Sequence, residues 1–297
     1  MIIEKDLPNW NQKLRYEKHI YPQCSCNNCP RFYANYLFVG ARQTGKTYSC
    51  TELVRHYEEN DIIDEDGNKR EIRVFLISPT VQANFVFTAL KSLDMENDVY
   101  TDYDDNTLKE ILDEIKRTKK ESEDYALYLK AYKEYSKLPE DKLYKLDNEY
   151  LSILASKDFL HPSELEQPRY KFPPISLIIL DDLLGSSCFN GKRTSFFQKQ
   201  LIQNRHAMVS YMILTQSLKA VPKNIRLNVN VFYLCKFSNT KVVAEDIYEE
   251  VSNSITEDEF LEMYLHCIED QYGALVIDLS GKKKRFFKGW KKEIFLK

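Results

Sequence analysis

Apolar residues along the chain gather in short runs separated by helical stripes. Tyr36-Leu37-Phe38-Val39 is a brief apolar run closed by Gly40, and after a glycine-containing loop Leu53, Val54 and Tyr57 stand at helical spacing between Lys46 and about Tyr57. This reads as strand, loop, helix. The turn cluster Asp64-Glu65-Asp66-Gly67-Asn68 precedes Ile72-Arg73-Val74-Phe75-Leu76-Ile77, a β-branched and aromatic run that Ser78-Pro79 ends, so a second strand is predicted there. Nearly continuous apolar runs at Ile175–Leu180, Val209–Leu214 and Val231–Leu234 predict strands buried on both faces, with a helix over Thr194–Arg205 between the first two. Strands alternating with helices predict an α/β fold: a mostly parallel sheet with helices on both faces.

The remaining segments set the organisation. Residues 1–35 are polar, aromatic and irregular, punctuated by Pro8, Pro22 and Pro30, and read as an N-terminal arm; residues 36–297 read as the main domain. Between about 106 and 153 the chain turns to Lys, Glu, Tyr and Leu, with Leu108, Ile111, Leu112 and Ile115 on one helical stripe. A helical insertion is expected there, capped by Asn106 or Thr107. Leu275 to Gly281 reads as a strand entering a turn, so a basic β-hairpin or tail is expected over about 272–297.

Composition narrows the classes. With 297 residues, 43% hydrophobic and 29% charged, the chain is ordinary globular material, which excludes disorder, collagen and coiled-coil arrays. Its net charge of −3 gives no global basic field, so any nucleic-acid contact must be local. The N-terminus lacks a basic segment followed by an apolar run, and no stretch approaches 18 uninterrupted apolar residues, so neither secretion nor a membrane segment is expected. Seven cysteines, an odd and mostly scattered set, suit a reducing compartment.

Gly40-Ala41-Arg42-Gln43-Thr44-Gly45-Lys46-Thr47 matches the phosphate-loop pattern G-x-x-x-x-G-K-[ST] between a predicted strand and a predicted helix. The glycines let backbone N–H groups wrap phosphate oxygens at a helix N-terminus, Lys46 reaches the β- and γ-phosphates, and the Thr47 hydroxyl is a Mg²⁺ ligand. Arg42, Gln43 and Thr44 complete the nucleotide-binding loop. Leu177 to Leu180 delivers Asp181 and Asp182 at a strand end: Asp181 is expected to hold Mg²⁺, and Asp182 to orient or deprotonate the attacking water, though two acids there also suit a helix cap. Gln216, ending the Met212-Ile213-Leu214-Thr215 strand, suits contact with the γ-phosphate or the water. No Asn-Lys-x-Asp guanine reader follows, and 135 residues separate Lys46 from Asp181, which favours an ATPase over a GTPase or a compact nucleotide kinase. Separately, His19, Cys24, Cys26 and Cys29 place four soft ligands within 11 residues, a candidate structural Zn²⁺ site as well as a set of free thiols.

The order of these pieces resembles the FtsK–HerA superfamily of DNA-translocating ATPases, and within it the poxvirus-type genome-packaging ATPases of large DNA viruses and virophages. The resemblance rests on Phe38 to Thr47, Leu76-Ile77-Ser78-Pro79-Thr80, Ile179 to Asp182, and above all Asn204-Arg205-His206, Ile213 to Ser217 and Val221 to Asn228. It covers about 36–95 and 172–237, more weakly Tyr272 to Trp290. Bacterial members usually carry Asp-Glu where this chain has Asp181-Asp182, while Asp-Asp is normal for the viral branch. The resemblance implies a RecA-like sheet with an additional strand and ATP hydrolysis. It further implies a pentameric or hexameric homo-oligomeric ring, double-stranded DNA as the translocated partner, and a capsid, portal or vertex protein. The expected place is the host cytoplasm or the viral assembly site, with association to the virion. It also implies an arginine acting on the neighbour's nucleotide, for which Arg205 is the first candidate and Arg226 the second. The alternatives are another ring or helicase-like translocase, and an ATP-binding assembly or scaffold protein with incidental turnover. For DNA contact the candidates are Lys219, Lys223 and Arg226, and the segment 282–297 with its local net charge of +7; that segment also suits a lysine-protected hairpin edge, or a base for the acid-rich stretch Glu245 to Asp270 of a neighbour.

Overall fold

A computed structural model describes residues 21–26, 29–139, 144–189, 195–237, 239–251, 255–281 and 284–295. The strands are β1 (Gln23–Cys24), β2 (Asn35–Val39), β3 (Ile62–Ile63), β4 (Ile72–Ile77), β5 (Val99–Tyr100), β6 (Ile175–Asp181), β7 (Val209–Thr215), β8 (Val231–Leu234), β9 (Leu275–Asp278), β10 (Arg285–Lys288) and β11 (Lys292–Ile294). The helices are α1 (Lys46–Glu59), α2 (Asp105–Tyr135), α3 (Asn148–Ala155), α4 (Phe196–Ala207), α5 (Lys223–Arg226), α6 (Thr240–Val251) and α7 (Glu257–Ile268). Each apolar run named above is a strand.

Among the described residues nine strands form one sheet, in the order β11-β10-β9-β8-β2-β7-β6-β4-β5. From β8 to β5 they run parallel, and β9 to β11 extend that sheet as an antiparallel meander. The continuous burial of β2, β4, β6 and β7 follows from apolar layers on both faces, with alternate side chains feeding each layer. On one face Leu37, Phe75, Ile178 and Ile213 pack with residues of α2, α4, α6 and α7. On the other, Tyr36, Phe38, Leu177 and Met212 pack against α1 together with Phe32 and Tyr33.

β7 lies between β2 and β6, with Val39 paired to Thr215 and Asp181 to Leu214. Parallel register therefore ends the phosphate-loop strand, the Gln216 strand and the Asp181-Asp182 strand at one edge. The additional strand is thus observed.

Three local expectations differ. The cap of α2 is Asp104, whose Oδ1 accepts from the Thr107 backbone N–H at 2.6 Å, so the cap is neither Asn106 nor Thr107. A carboxylate two or three residues ahead of the first free N–H groups reaches them better than a side chain already in the first turn. The expected insertion begins as a core helix: Leu108, Ile111, Leu112 and Ile115 join the main core, and only further along do Tyr128 and Ala131 build a separate small cluster with Leu146 and Leu154. Arg73 fixes the transition. Its guanidinium donates to Asp98 (2.7 and 3.0 Å), Glu114 (2.9 Å) and Thr118 (2.7 Å), tying buried β4 to α2. Finally, α4 starts after Ser195, whose hydroxyl accepts from Gln198 N–H, and not at Thr194, which lies outside the described residues.

Candidate active site

Gly40 leaves β2 under tight constraint. A Cβ there would lie 2.5 Å from Cys235 Cβ and 2.7 Å from Thr44 Oγ1, so only glycine lets the loop pass β8. Gln43 (φ 59°) and Gly45 (φ 91°) both take left-handed backbone, which turns successive N–H groups inward as an anion nest. Gly45 then caps α1 with no side-chain acceptor, leaving the first-turn N–H groups for an anion. Lys46 Nζ donates to the Gly40 and Ala41 carbonyls at 2.9 and 2.8 Å. Burial lowers its pKa, and the Cys235 thiol, Asp181 and Asp182 act in the opposite sense. Thr47 stands half-buried in the first turn of α1.

At the end of β6, Asp181 is buried and accepts from Ser78 Oγ at 3.3 Å. Its pKa is pushed up to about 6, chiefly by burial and then by the charge of Asp182, against the Ser78 hydrogen bond and Lys46. Asp182 takes a left-handed φ of 53°, a conformation Asp tolerates better than most residues and one that turns its side chain out of the strand direction. Its Oδ1 accepts from Gln216 Nε2 at 3.0 Å, and Gln216 Oε1 accepts from Arg42 Nε at 3.1 Å. A continuous hydrogen-bonded chain thus joins the phosphate loop, the β7 end and the carboxylate pair. The donor set fits a nucleotide with a divalent cation: backbone N–H groups and a lysine for phosphate, and a hydroxyl beside a buried carboxylate for a hard ion.

Two residues of this edge were not among the expected site residues. Ser78 ends β4, and its place beside Asp181 follows only from the β4–β6 pairing. Tyr272 (φ 64°, more than half exposed) stands against Gly45, where an added Cβ would meet its Cβ at 3.3 Å. Gly273 holds that turn, since a Cβ there would lie 2.2 Å from the Cys267 carbonyl oxygen.

Arg205 does not join this cluster. It is exposed in the last turn of α4, with no ion-pair partner among the described residues, at the edge where β7 begins, about 20 Å of strand away from Gln216. Arg226 is tied within its own chain, to Glu250 (2.7 Å) and to the Leu218 and Val221 carbonyls (3.3 and 2.9 Å). Asn204 is structural as well: its amide donates to the Tyr33 carbonyl and to Asn35 Oδ1, bracing the start of β2.

Much of the basic charge expected to face DNA is answered inside the fold. Lys219 pairs with Asp246, Lys288 with Asp270, Arg285 with Asp278 and Lys291 with Glu52, while Lys284 donates to the Val251 carbonyl. Acid and base that looked available for two subunits meet within one. Lys223 remains exposed, and Lys282, Lys283 and Lys297 lie outside the described residues. Among those described, no helix is long and apolar enough to cross a membrane.

The expected zinc ligands are described only in part. His19 lies outside the described residues, whereas Cys26 and Cys29 meet His56 of α1.

No protein-family model matches the chain, and no curated protein does. Among solved structures, it is similar to the genome packaging NTPase of Sulfolobus turreted icosahedral virus 2 in complex with AMP, at 10% identity and a TM-score of 0.45, over 86% of this chain and 96% of that one. It is also similar to ATPases 2 and 3 of EssC from Geobacillus thermodenitrificans, at 11% identity and a TM-score of 0.43, over 82% of this chain and 37% of that one. A third is the N-terminal domain of zonular occludens toxin from Neisseria meningitidis, at 15% identity and a TM-score of 0.31, over 71% and 79%. A viral genome-packaging enzyme, the class the sequence resembles, is thus among the structures this fold retrieves; at these TM-scores the similarities carry no argument for function. The chain's own geometry is what carries one: a phosphate loop, two carboxylates and an amide brought to one sheet edge form a candidate nucleotide site on a mostly parallel α/β sheet.

Proposed function

We propose that the chain is a Mg²⁺-dependent ATP hydrolase that moves double-stranded DNA, working in an oligomeric ring to package a viral genome at the site of virion assembly. The observation that carries hydrolysis is the chain Arg42–Gln216–Asp182 beside buried Asp181, because it couples the phosphate loop to a carboxylate placed to act on water.

The loop N–H groups and the α1 terminus take the phosphates, and Lys46 exchanges its two carbonyl acceptors for phosphate oxygens. Thr47 and Asp181 would hold Mg²⁺, which would supply charge neutralisation at the phosphates. Asp182 has Oδ1 committed to Gln216, leaving Oδ2 to accept the proton of the attacking water as its oxygen bonds to the γ-phosphorus and ADP departs. With the γ-phosphate on the β6 side of the loop, the base end of the nucleotide extends toward β8 and β9, where Tyr272 offers an aromatic face. Arg205, exposed and without an ion-pair partner among the described residues, is the arginine we assign to a neighbouring subunit's nucleotide.

The test is steady-state ATP hydrolysis with and without linear duplex DNA at low and moderate salt, since the contact is electrostatic. Expected are DNA stimulation, its loss in Lys46→Ala, and a roughly 10²–10⁴-fold fall in kcat with ATP binding kept in Asp182→Asn. Tight ATP binding without turnover, on DNA or on capsids, would sink the motor reading and leave a nucleotide-fixed scaffold.

A further inference from the structure

The cysteine cluster near the start of the described chain is not a loose set of thiols. β1 pairs antiparallel with β3, the short strand directly after α1, with Cys24 opposite Ile62. Ser25 N–H donates to the Asp61 carbonyl at 2.8 Å, which pins the next residues across the C-terminal end of α1. The chain then turns, Cys29 N–H donating to the Cys26 carbonyl at 3.3 Å. These local constraints bring Cys26 Sγ to 3.0 Å from Nε2 of His56, an exposed residue in the last turn of α1.

The ligand atoms of Cys26, Cys29 and His56 all lie within 4.8 Å of one another. Tetrahedral zinc, with Zn–S about 2.3 Å and Zn–N about 2.0 Å, places its ligand atoms about 3.5–3.8 Å apart, so small rotamer changes suffice to close on an ion. A fourth soft ligand is near: Cys24 stands in β1 two residues before Cys26 and, like Cys29, packs against the α1-side core. All the cysteines of the cluster are free of disulfides and half-buried. Three sulfurs and one imidazole select a soft or borderline cation and reject Mg²⁺ or Ca²⁺. Four protein ligands leave no open position, which marks a structural and not a catalytic ion.

We propose that Cys24, Cys26, Cys29 and His56 form a structural Zn²⁺ site that clips the N-terminal arm to the end of helix α1. The clip has a mechanical meaning. The same helix carries the phosphate loop at its other end, ten residues or about 15 Å from His56, so the ion braces the helix from the side opposite the nucleotide. It also holds the arm residues Phe32 and Tyr33, which cover the α1 face of the sheet. This site stands whatever the nucleotide chemistry proves to be.

The test uses the full chain, loaded with Zn²⁺ under reducing conditions and desalted, with metal read by mass spectrometry. Expected is about one zinc per chain, and on Co²⁺ substitution the intense thiolate charge-transfer and visible bands of a tetrahedral site. His56→Ala is expected to weaken Co²⁺ binding at least about tenfold. His56→Cys, which supplies another soft ligand at the same place, keeps stoichiometric metal and guards against reading a folding defect as a lost ligand. His19→Ala binds as the unmodified chain does. A chain that retains well under half an equivalent of zinc, an octahedral Co²⁺ spectrum without thiolate bands, or loss of metal in His19→Ala with retention in His56→Ala would each overturn the assignment.

Discussion

Burial of Asp181 beside Asp182 sets stability against function at a single residue. Its pKa of about 6 lies above the ordinary carboxylate value, so between roughly pH 4 and 6 the folded chain holds a proton the unfolded chain has lost. Stability from this group therefore falls as pH rises through that window and stays lower above it. Asp181→Asn removes the buried charge and is expected to raise stability at pH 7 by up to about 3 kcal/mol, read by denaturant melts without nucleotide, while hydrolysis is lost. Mg²⁺ affinity of the unmodified chain is expected to drop as pH falls through about 6, measurable by titration at fixed nucleotide. Tyr272 allows a separate check: if its ring takes the base, Tyr272→Ala raises KM for ATP about five- to hundredfold and changes kcat far less. Lys46, Thr47, Asp181 and Asp182 were legible because each ends or follows a recognisable run. Ser78 and Tyr272 were not, since their meaning lies in a neighbour that sequence separation hides.

Strands and helices carry a different lesson. The period-free apolar runs identified β2, β4, β6, β7 and β8 closely because strands covered on both faces have no polar side to interrupt them. The one charged interruption, Arg73 in β4, gave no hint of its partners. Asp98 is almost fully enclosed, so Arg73→Ala strands a buried carboxylate and is expected to cost about 3–5 kcal/mol, whereas Arg73→Met with Asp98→Leu recovers most of it. A double-mutant cycle by chemical denaturation measures this, and equal losses in single and double variants would remove the ion pair as the cause. The α2 stripe was visible too, but periodicity cannot distinguish a helix that covers the parent sheet from one that leaves it. α2 does both, because its early apolar residues meet the sheet and its later ones meet α3.

At the scale of the whole molecule, the reading of a ring makes Arg205 decisive. Mixing Arg205→Ala chains into unmodified ones is expected to depress hydrolysis more steeply than their mole fraction, and a strictly linear response would remove Arg205 from the neighbour's site. The pairing of Arg285, Lys288 and Lys291 with acids of their own chain predicts that single neutralisations there, Lys288→Ala for example, alter DNA stimulation little. Lys223→Ala, at an exposed position of α5 with no ion-pair partner among the described residues, is expected to weaken it and to flatten its salt dependence by about one counterion. By itself the sequence determined the elements, the phosphate loop and the acidic strand end, because these are local: backbone conformation, apolar period and ligand spacing are all written within a few residues. Only the tertiary structure decided that Gln216 bridges Arg42 and Asp182, that Arg226 and part of the basic tail are internally paired, and that His56 stands with the cysteines. Each of these depends on which distant segments lie side by side, and that is set by burying the apolar faces of the whole chain at once, a condition no short stretch of sequence contains.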